Sequence, residues 1–434
     1  MATLQAVTGM NDLLPGDGQG ARWQRLETTF RESCRRYGFA EVRTPLCEYV
    51  ELFQRGVGET TDIVEKEMYT FEDRGGRRLA LRPEGTASAV RAALEHSVLA
   101  REPVTRWFYV GPMYRAERPA KGRYREFFQV GVEVYGDGSP AVDAEVIDLA
   151  ASFFRDLGLT QFKVRLNSIG GPETRARYRD ALVAHFAPHR DSLSPESQAR
   201  LERNPLRILD SKDPRDHGPR EGAPSILDAL TDDDRAHFER VQAFLTALGV
   251  PFVVDPTLVR GLDYYTRTVF EVVDTSGALG AQDTLCGGGR YDQLFTELGS
   301  AAPVPAFGFG AGIERLLLSA PAVDAAKPFR VAVVAAAKAD ESATLAGVLC
   351  LARELRAAGI ETLVDTRFAS MKSQMRRAND LAATVVLVLG GNEIASGMVS
   401  MKIMATGEQR SVARAALRDE LAQVQRAATT TGAP

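Results

Sequence analysis

The stretch VTRWFYVGPMYRAERPAKGRYREFFQVGVEVY, residues 104–135, contains two β-like runs joined by a basic loop. Successive side chains of a strand point to opposite faces, so the second run has two different faces. The apolar face carries Phe128, Val130, Val132 and Val134, and the opposite face carries Gln129, Gly131 and Glu133. We expect the apolar face to pack on a core. The other face presents an amide and an acid on either side of a glycine, which leaves room for another group to lie against it.

The loop between the two runs is rich in cations. Five of them lie within residues 115–125, with the acid Glu117 among them: Arg115, Arg118, Lys121, Arg123 and Arg125. Guanidinium groups match the geometry of phosphate oxygens, which favours a phosphate-binding loop. A solvated charged loop is the alternative. The polar strand face that follows directly favours phosphate binding.

Upstream of this unit, residues 18–37 have the periodicity of an amphipathic helix. Residues 38–49 follow as an extended segment that includes Pro45. A short strand is predicted over 79–82, just before the next helix.

The segment RPEGTAS, residues 82–88, places an acid at the start of that helix. Thr86 is a candidate N-cap for a helix over 87–95. The Glu84 carboxylate either complements the helix dipole or holds an ammonium group of a ligand.

Downstream, residues 171–247 change character and read as a helical insertion with a long polar loop. Strand-like sequence resumes near 250 and continues through LVRGLDYYTRTVFEV, residues 258–272. This run carries Arg260, Tyr264 and Tyr265. Such residues suit either an exposed strand or a pocket for an anion and a ring.

Two glycine-rich motifs follow. CGGGRYD, residues 286–292, favours a tight turn, with close backbone approach to a ligand as the alternative. PAFGFGAGIERLLL, residues 305–318, predicts a helix that either packs closely on a sheet or projects Arg315 into a nucleotide site. Neither motif matches the P-loop or Rossmann patterns.

The C-terminal part alternates between strands and helices and predicts a small α/β domain. Strands are predicted at 330–336, 361–366, 384–390 and 399–405, and helices at 342–357, 370–380 and 411–427. Residues 319–329 read as a linker, so we divide the chain into domains 1–325 and 326–434. Residues 327–434 have a net charge of +4, and the remainder carries −8. This split hints at an anionic partner for the C-terminal domain.

Composition excludes several classes of protein. The four cysteines are scattered without CxxC spacing, which favours a reducing compartment over a zinc or disulfide scaffold. The histidines lack HExxH spacing, and no GxSxG motif occurs. The N-terminus lacks the features of a signal peptide, and no apolar run approaches the ~20 residues of a membrane span. We therefore expect a cytoplasmic protein with no membrane association.

Taken in order, these motifs resemble the class II aminoacyl-tRNA synthetases and, within that class, the histidyl-tRNA synthetase family of bacterial type. GFAEVRTPLCE, with Pro45, resembles motif 1. YRAERPAKGRYREFFQVGVEVYG, with Arg115, resembles motif 2, and FGFGAGIERL, with Arg315, resembles motif 3. LVRGLDYYTRTVFE and GGGRYD match the two signatures particular to histidyl enzymes. The resemblance covers essentially the whole chain.

The resemblance implies the fold and the roles of individual residues. The fold would be α/β, with an α+β catalytic domain built on an antiparallel sheet, the helical insertion, and a C-terminal α/β anticodon-binding domain. The implied histidine-binding residues are Glu84, Thr86, Arg115, Gln129, Glu133, Arg260, Tyr264 and Tyr265. The implied ATP-binding residues are Arg115, Glu117, Arg123 and Arg315. Arg260 and Arg115 would be the catalytic cations.

The implied reaction joins L-histidine to ATP with Mg²⁺, then transfers histidine to the 3′ end of tRNA(His). The sequence does not identify Mg²⁺ ligands. The resemblance also implies a homodimer formed through motif 1. Two alternatives compete. One is the non-catalytic regulatory subunit of ATP phosphoribosyltransferase, disfavoured by the retained arginines and the C-terminal domain. The other is a class II synthetase for another amino acid, disfavoured by the paired histidyl signatures.

Overall fold

The computed structural model describes residues 3–15, 18–59, 61–209, 211–258, 260–280, 283–321, 328–336 and 342–431. Its internal contacts divide the chain into two compact units, with the division between Val323 and Asp324. No helix among the described residues has the length and apolar composition needed to cross a membrane.

The first unit combines a large sheet with flanking helices. Its helices and strands are α1 (Gln19–Arg36), β1 (Ala40–Glu41), β2 (Cys47–Tyr49), α2 (Val50–Val57), β3 (Thr70–Glu72), β4 (Arg78–Leu81), α3 (Thr86–Glu95), β5 (Thr105–Tyr114), β6 (Glu126–Tyr135), α4 (Pro140–Asp156), β7 (Phe162–Ser168), α5 (Pro172–Phe186), α6 (Pro195–Arg203), α7 (His217–Arg220), α8 (Asp232–Ala247), β8 (Phe252–Val254), β9 (Thr266–Asp274), β10 (Thr284–Arg290), α9 (Leu294–Glu297), β11 (Ala306–Gly312) and α10 (Ile313–Ser319).

The large sheet has the strand order β1-β5-β6-β11-β10-β9-β7-β8. Its five inner pairings, from β5–β6 to β9–β7, are antiparallel, and only the outer pairs β1–β5 and β7–β8 are parallel. A smaller sheet has the order β2-β4-β3. The expected antiparallel catalytic sheet is therefore confirmed.

The apolar face of β6 packs on the main core, as its alternation predicts. Val130, Val132 and Val134 are fully buried there with Phe30 from α1 and Phe153 from α4. Burial of side chains this large stabilises a fold by ~1.5–3 kcal/mol each. The opposite face of β6 is thereby left for the functional site.

The predicted helical insertion is confirmed as α5 to α8 with short 3₁₀ turns between them. Ser194 caps α6, because its side chain accepts from the Ser197 amide, and Pro195 is the first helical residue. Tyr178, Leu182 and Phe186 of the insertion are buried in a hydrophobic cluster that they share with Tyr135 of β6 and Tyr265 of the loop before β9.

Two local predictions in the first unit are wrong. The run before β9 was expected to be strand, but residues 260–265 form a loop and β9 begins at Thr266. Thr86 is not an N-cap but the first residue of α3. Glu84 takes the capping role, because its two carboxylate oxygens accept from the Thr86 amide at 2.7 Å and the Ala87 amide at 2.8 Å.

The second unit is a five-stranded sheet with helices. Its elements are β12 (Arg330–Ala336), α11 (Ser342–Ala357), β13 (Glu361–Val364), α12 (Met371–Asp380), β14 (Val385–Gly390), α13 (Gly391–Ser396), β15 (Met398–Ile403), β16 (Gln409–Ala413) and α14 (Leu417–Thr431). The strand order is β13-β12-β14-β15-β16. The α/β expectation is confirmed.

The helix predicted over 411–427 begins later in the structure than the sequence predicts. Residues Gln409–Ala413 form strand β16, which pairs with β15, and α14 begins only at Leu417. The edge of β15 offers hydrogen-bonding groups to this segment. Pairing satisfies them and overrides the helical pattern.

Candidate active site

Glycines on β11 open the face of the sheet opposite the core. Gly308 pairs with Glu133, and Gly312 pairs with Gln129. A Cβ atom on Gly308 would overlap the Glu133 carboxylate, and one on Gly310 would overlap the Gln129 amide. The two side chains of β6 therefore lie across the neighbouring strand, which only glycine permits.

The triple glycine of CGGGRYD lies inside strand β10, so the prediction of a tight turn is wrong. A Cβ atom on Gly287 would overlap the Arg260 guanidinium, and one on Gly289 would lie close to Tyr265. The glycines make room for side chains from the 260–265 loop. Close approach to the β10 backbone does occur, but the groups that approach are protein side chains and not a ligand.

The space beside Gly131 is filled by the protein itself. Tyr109 pairs with Gly131 across β5 and β6, and its ring covers both Gly131 and Gly85. The room that Gly131 leaves on this face is therefore occupied by a protein side chain. Tyr109 is a wall of the site that the sequence analysis missed.

A cavity of about 290 Å³ opens beside these strands. Three arginines from separate elements line it: Arg115 at the end of β5, Arg123 from the basic loop and Arg315 from α10. Arg115 donates to the Pro83 carbonyl at 2.9 Å, and its guanidinium lies over the Phe127 ring. Arg315 donates to the Gly122 and Thr284 carbonyls at 3.1 and 3.0 Å.

The basic loop contributes only part of its charge to this cavity. Arg123 lines it and pairs with Glu117, which also lines it, at 2.8 Å. Lys121 instead donates to the Ala278 carbonyl at 2.8 Å, and Arg125 donates to the Glu117 carbonyl at 3.2 Å. Arg118 does not line the cavity either.

Arg260 is a fourth arginine that lines this cavity. It pairs with Glu271, a residue that the sequence analysis did not single out. Burial disfavours the Arg260 charge, but Tyr265 and Glu271 outweigh burial and raise its pKa above the usual value. Its Nε atom is buried and has no hydrogen-bond partner among the described residues, and the same is true of Gln129 Oε1. Such atoms indicate a ligand site.

The remaining predicted residues gather in a buried cluster beside Arg260. The members are Glu84, Thr86, Glu133, Tyr264 and Tyr265. Thr86 Oγ1 donates to Glu133 at 2.8 Å, and the rings of Tyr264 and Tyr265 lie 4.7 Å apart. Tyr291, which the sequence analysis did not assign to the site, donates its hydroxyl proton to Glu133.

Both acids of the cluster have perturbed pKa values. Burial raises the pKa of Glu133 to about 8, against the opposing bonds from Tyr291 and Thr86. Burial also raises the pKa of Glu84, although the two amide hydrogen bonds at the helix start oppose it. A titratable acid with a pKa near neutrality is typical of a functional site.

Asp263 contacts the turn that follows α2. Its side chain lies against Gly58, and its amide donates to the Val57 carbonyl at 3.3 Å. Gly58 has a φ of 103°, which a residue with a Cβ rarely adopts. Asp263 therefore anchors the loop to the turn after α2, whereas Glu271 holds Arg260.

The sequence contains partial indications of the three site residues that the sequence analysis missed. Tyr109 lies on β5 in a period-two pattern with Trp107 and Gly111, opposite the glycine of β6. Glu271 interrupts the apolar run from Val269 to Val273, and Tyr291 belongs to the GGGRYD motif. Each signal depends on knowing which strands pair.

Comparison with known proteins places this geometry in a family. A family model described as histidyl-tRNA synthetase matches residues 9–171 and 215–316, and one described as an anticodon binding domain matches residues 330–424. The chain is 52% identical to the histidine–tRNA ligase of Sorangium cellulosum over 414 residues, or 94% of each chain. It is 46% identical to that of Listeria monocytogenes over 96% of this chain and 98% of the relative.

A solved structure of the same family also matches this chain. The crystal structure of apo S. aureus histidyl-tRNA synthetase matches with a TM-score of 0.81 and 34% identity, over 96% of this chain and 100% of that one. An antiparallel sheet with an arginine-lined cavity, joined to an anticodon-binding α/β unit, defines a class II aminoacyl-tRNA synthetase. Within that class, the chain belongs to the histidyl-tRNA synthetase family. The alternatives of a regulatory subunit and of a synthetase for another amino acid are not favoured.

Proposed function

We propose that this site activates L-histidine with ATP, forming histidyl-adenylate and pyrophosphate, and then transfers histidine to the 3′ end of tRNA(His). One observation carries the proposal. Arg260 lies between a cavity lined by Arg115, Arg123 and Arg315 and a buried cluster of acids and tyrosines. The first part suits a triphosphate, and the second suits a small cationic amino acid.

Histidine would bind in the buried cluster. Glu84, Thr86 and Gln129 would hold its α-amino group, while Glu133 and Tyr265 would bond the imidazole nitrogens and Tyr264 would form a wall. The partnerless Gln129 Oε1 supports this placement because a buried acceptor needs a donor. A site that hydrogen-bonds a substrate rejects analogues lacking those groups by about 10⁴–10⁵-fold.

ATP would bind in the arginine-lined cavity. Arg115 and Arg260 would contact the α-phosphate, and Arg123 and Arg315 the β- and γ-phosphates, with Glu117 orienting Arg123. An oxygen of the histidine carboxylate attacks the α-phosphorus, and the bond from that phosphorus to the bridging oxygen of pyrophosphate breaks. Arg260 and Arg115 would stabilise the charge that develops on the α-phosphate, an effect of the kind that preorganised cations supply.

Mg²⁺ would enter as part of the Mg²⁺–ATP substrate. Among the described residues, no group of three potential metal-binding side chains is arranged around one point. The acids that line the cavity are Glu117, Glu271 and Glu314, and the first two pair with arginines. Mg²⁺ is commonly held by substrate phosphates and water with few carboxylates, which fits this lining.

The second step would use the C-terminal domain. We propose that this domain comprises residues 326–434 and that the catalytic domain comprises residues 1–325. A hydroxyl of the terminal ribose of tRNA(His) attacks the histidyl carbonyl, and AMP leaves. The +4 charge of residues 327–434 suits contacts with RNA phosphates. We also propose that the protein acts in the cytoplasm as a homodimer formed through the segment around Pro45.

The test is an ATP–pyrophosphate exchange screen over the standard amino acids with Mg²⁺. We expect exchange with histidine and with no other amino acid, followed by charging of tRNA(His). Exchange with a different amino acid, or with none, would contradict the proposal.

Arg260→Ala provides the control for this screen. Loss of a charge donor to the transition state costs about 10²–10³-fold in rate, so exchange should fall by that amount. A contaminating host enzyme would leave exchange equal in the two preparations. Equal exchange in the two preparations would therefore show that the measured activity does not depend on Arg260.

A further inference from the structure

The loop 260–265 carries residues proposed for both ends of the substrate, yet it is not part of a strand. Arg260 is at its start and Tyr265 at its end. Among the backbone–backbone hydrogen bonds of the described residues, one joins this loop to the rest of the unit, from the Asp263 amide to the Val57 carbonyl at 3.3 Å. Side chains that contact its carbonyl groups therefore contribute to the position of the loop, together with the packing of its buried tyrosines.

Two arginines of the helical insertion contact those carbonyls. Arg175, in the first turn of α5, donates to the Tyr265 carbonyl at 3.4 Å. Arg207, in the 3₁₀ turn Pro205–Ile208, donates to the Gly261 carbonyl at 3.5 Å. The two contacts lie at opposite ends of the loop. Neither arginine lines the large cavity.

Both arginines are held by their own surroundings. Arg200 donates to the Arg207 carbonyl at 3.2 Å, which fixes the 3₁₀ turn against α6. Arg175 stabilises the charged form of Glu297 on α9, although burial raises the pKa of that acid overall. The Asp234 carboxylate accepts from the Gly171 amide at 2.8 Å, so the start of α5 is tied to α8. The insertion thus presents two anchored cations to the loop.

The side chains of the loop are packed, but a small cavity remains beside them. Tyr264 and Tyr265 are buried in a hydrophobic cluster of the first unit. The cavity has a volume of about 30 Å³ and is lined by Arg175, Arg207, Arg260, Asp263 and Tyr265 among others. Packing of the tyrosine rings and the polar contacts to the carbonyls therefore both hold the loop.

We propose that Arg175 and Arg207 are positioning residues for the adenylation step. They hold the Tyr265 and Gly261 carbonyls and thereby set where Arg260 and Tyr265 stand relative to the sheet. This gives the helical insertion a role in the chemistry of the first step, without contact to histidine or ATP. The inference rests on the proposed function, because it assumes that Arg260 and Tyr265 bind the substrate.

Loss of either arginine should change the kinetic constants for histidine more than those for ATP. Hydrogen bonds from charged donors are stronger than those from neutral donors, but these two contacts, at 3.4 and 3.5 Å, are long and belong at the weak end of that range. Arg175→Ala and Arg207→Ala should each lower kcat/KM for histidine by about tenfold, with a raised KM for histidine. The KM for ATP should stay within about twofold, because Arg115, Arg123 and Arg315 are held by other elements.

The measurement is ATP–pyrophosphate exchange in the full-length chain, with KM and kcat determined separately for histidine and ATP. Arg177→Ala and Arg203→Ala are matched controls. Both remove an exposed arginine from the insertion, one from α5 and one from α6, and neither has a contact with the loop among the bonds described. Arg175→Lys and Arg207→Lys keep a charged donor and should recover most of the loss.

Amide hydrogen exchange of residues 261–265 provides a readout that does not need activity. We expect faster exchange in the two alanine variants than in wild type or in the two controls. Unchanged exchange at these amides, or an equal loss of kcat/KM in the controls, would overturn the inference. If wild type itself shows no histidine-dependent exchange of pyrophosphate, the proposed function fails, and the amide measurement still decides whether the arginines hold the loop.

Discussion

At the scale of single residues, Glu133 shows how the fold changes the chemistry of a side chain. It lies on β6, where Thr86 and Tyr291 donate hydrogen bonds to it. These bonds stabilise the carboxylate, but removal from water opposes its charge more strongly. The result is an acid with a pKa near 8. Burial therefore favours the protonated form of this acid.

The raised pKa predicts a pH dependence of stability. Below its ordinary pKa of 4.5 the side chain is protonated in both the folded and unfolded states, and it does not affect the balance. Between 4.5 and about 8 the unfolded state ionises and the folded state does not, so stability falls as pH rises. The slope is at most about 1.4 kcal/mol per pH unit. Above pH 8 the contribution is constant.

Glu133→Gln removes this titration. The free energy of unfolding of Glu133→Gln minus that of wild type should therefore rise from pH 5 to pH 8 and level off above it, as measured by denaturant unfolding at each pH. Glu95→Gln, at an exposed carboxylate on α3, is the control. A pH-independent difference for Glu133→Gln would show that its pKa is not raised in the folded protein.

At the scale of elements, strands β10 and β11 form the floor of the site because they carry glycine at alternate positions. Gly287 and Gly289 on β10 pair with Gly310 and Gly308 on β11. Side chains from β6 and from the 260–265 loop lie over this glycine floor. Two adjacent strands without side chains on one face would be weak alone. Here neighbouring side chains replace the missing contacts.

Gly310→Ala tests the glycine floor. An added Cβ meets only the Gln129 side chain, which can move aside. We expect a stability loss of less than ~1.5 kcal/mol. Because displaced Gln129 loses its proposed contact with the α-amino group, KM for histidine in the exchange assay should rise by about tenfold.

Gly288→Ala is the matched control. Gly288 pairs with Phe309, next to the Gly287–Gly310 pair, and faces the opposite side of the sheet. Its Cβ would overlap the Gly308 carbonyl and the Phe309 backbone, which cannot move aside. This variant should lose ~1–3 kcal/mol of unfolding free energy. If the Gly310→Ala protein keeps the wild-type KM for histidine, Gln129 does not contribute to histidine binding.

At the scale of the whole molecule, the chain consists of two compact units with different charge. The matched anticodon-binding region, residues 330–424, lies in the second unit. All the residues of the candidate active site lie in the first unit. The chemistry and the RNA contacts of the C-terminal domain are therefore expected to be separable.

Deletion of residues 327–434 tests this separation. Pyrophosphate exchange should remain within about twofold of wild type, whereas kcat/KM for tRNA charging should fall by at least about tenfold, since phosphate contacts contribute strongly to RNA affinity. Both rates are measured on the same preparation, so the exchange rate reports whether the remaining unit is folded. Equal losses in the two assays would count against a separable RNA-binding unit.

The sequence alone was sufficient for features that depend on local patterns. The alternation on β6 predicted its buried face, helical periodicity predicted α1 and α11, and the motifs predicted the family. These features rest on side-chain period and on short segments read in order. They did not require knowledge of which segments pair.

Only the tertiary structure decided features that depend on neighbours distant in sequence. CGGGRYD became a strand because β9 and β11 pair with it on both sides. Tyr109 filled the space at Gly131, Glu271 paired with Arg260, and Arg175 and Arg207 reached the 260–265 loop from the insertion. Strand pairing and burial bring these groups together. No local pattern encodes a contact whose two partners lie 50 to 90 residues apart, such as those of Arg207 with Gly261 and of Arg175 with Tyr265.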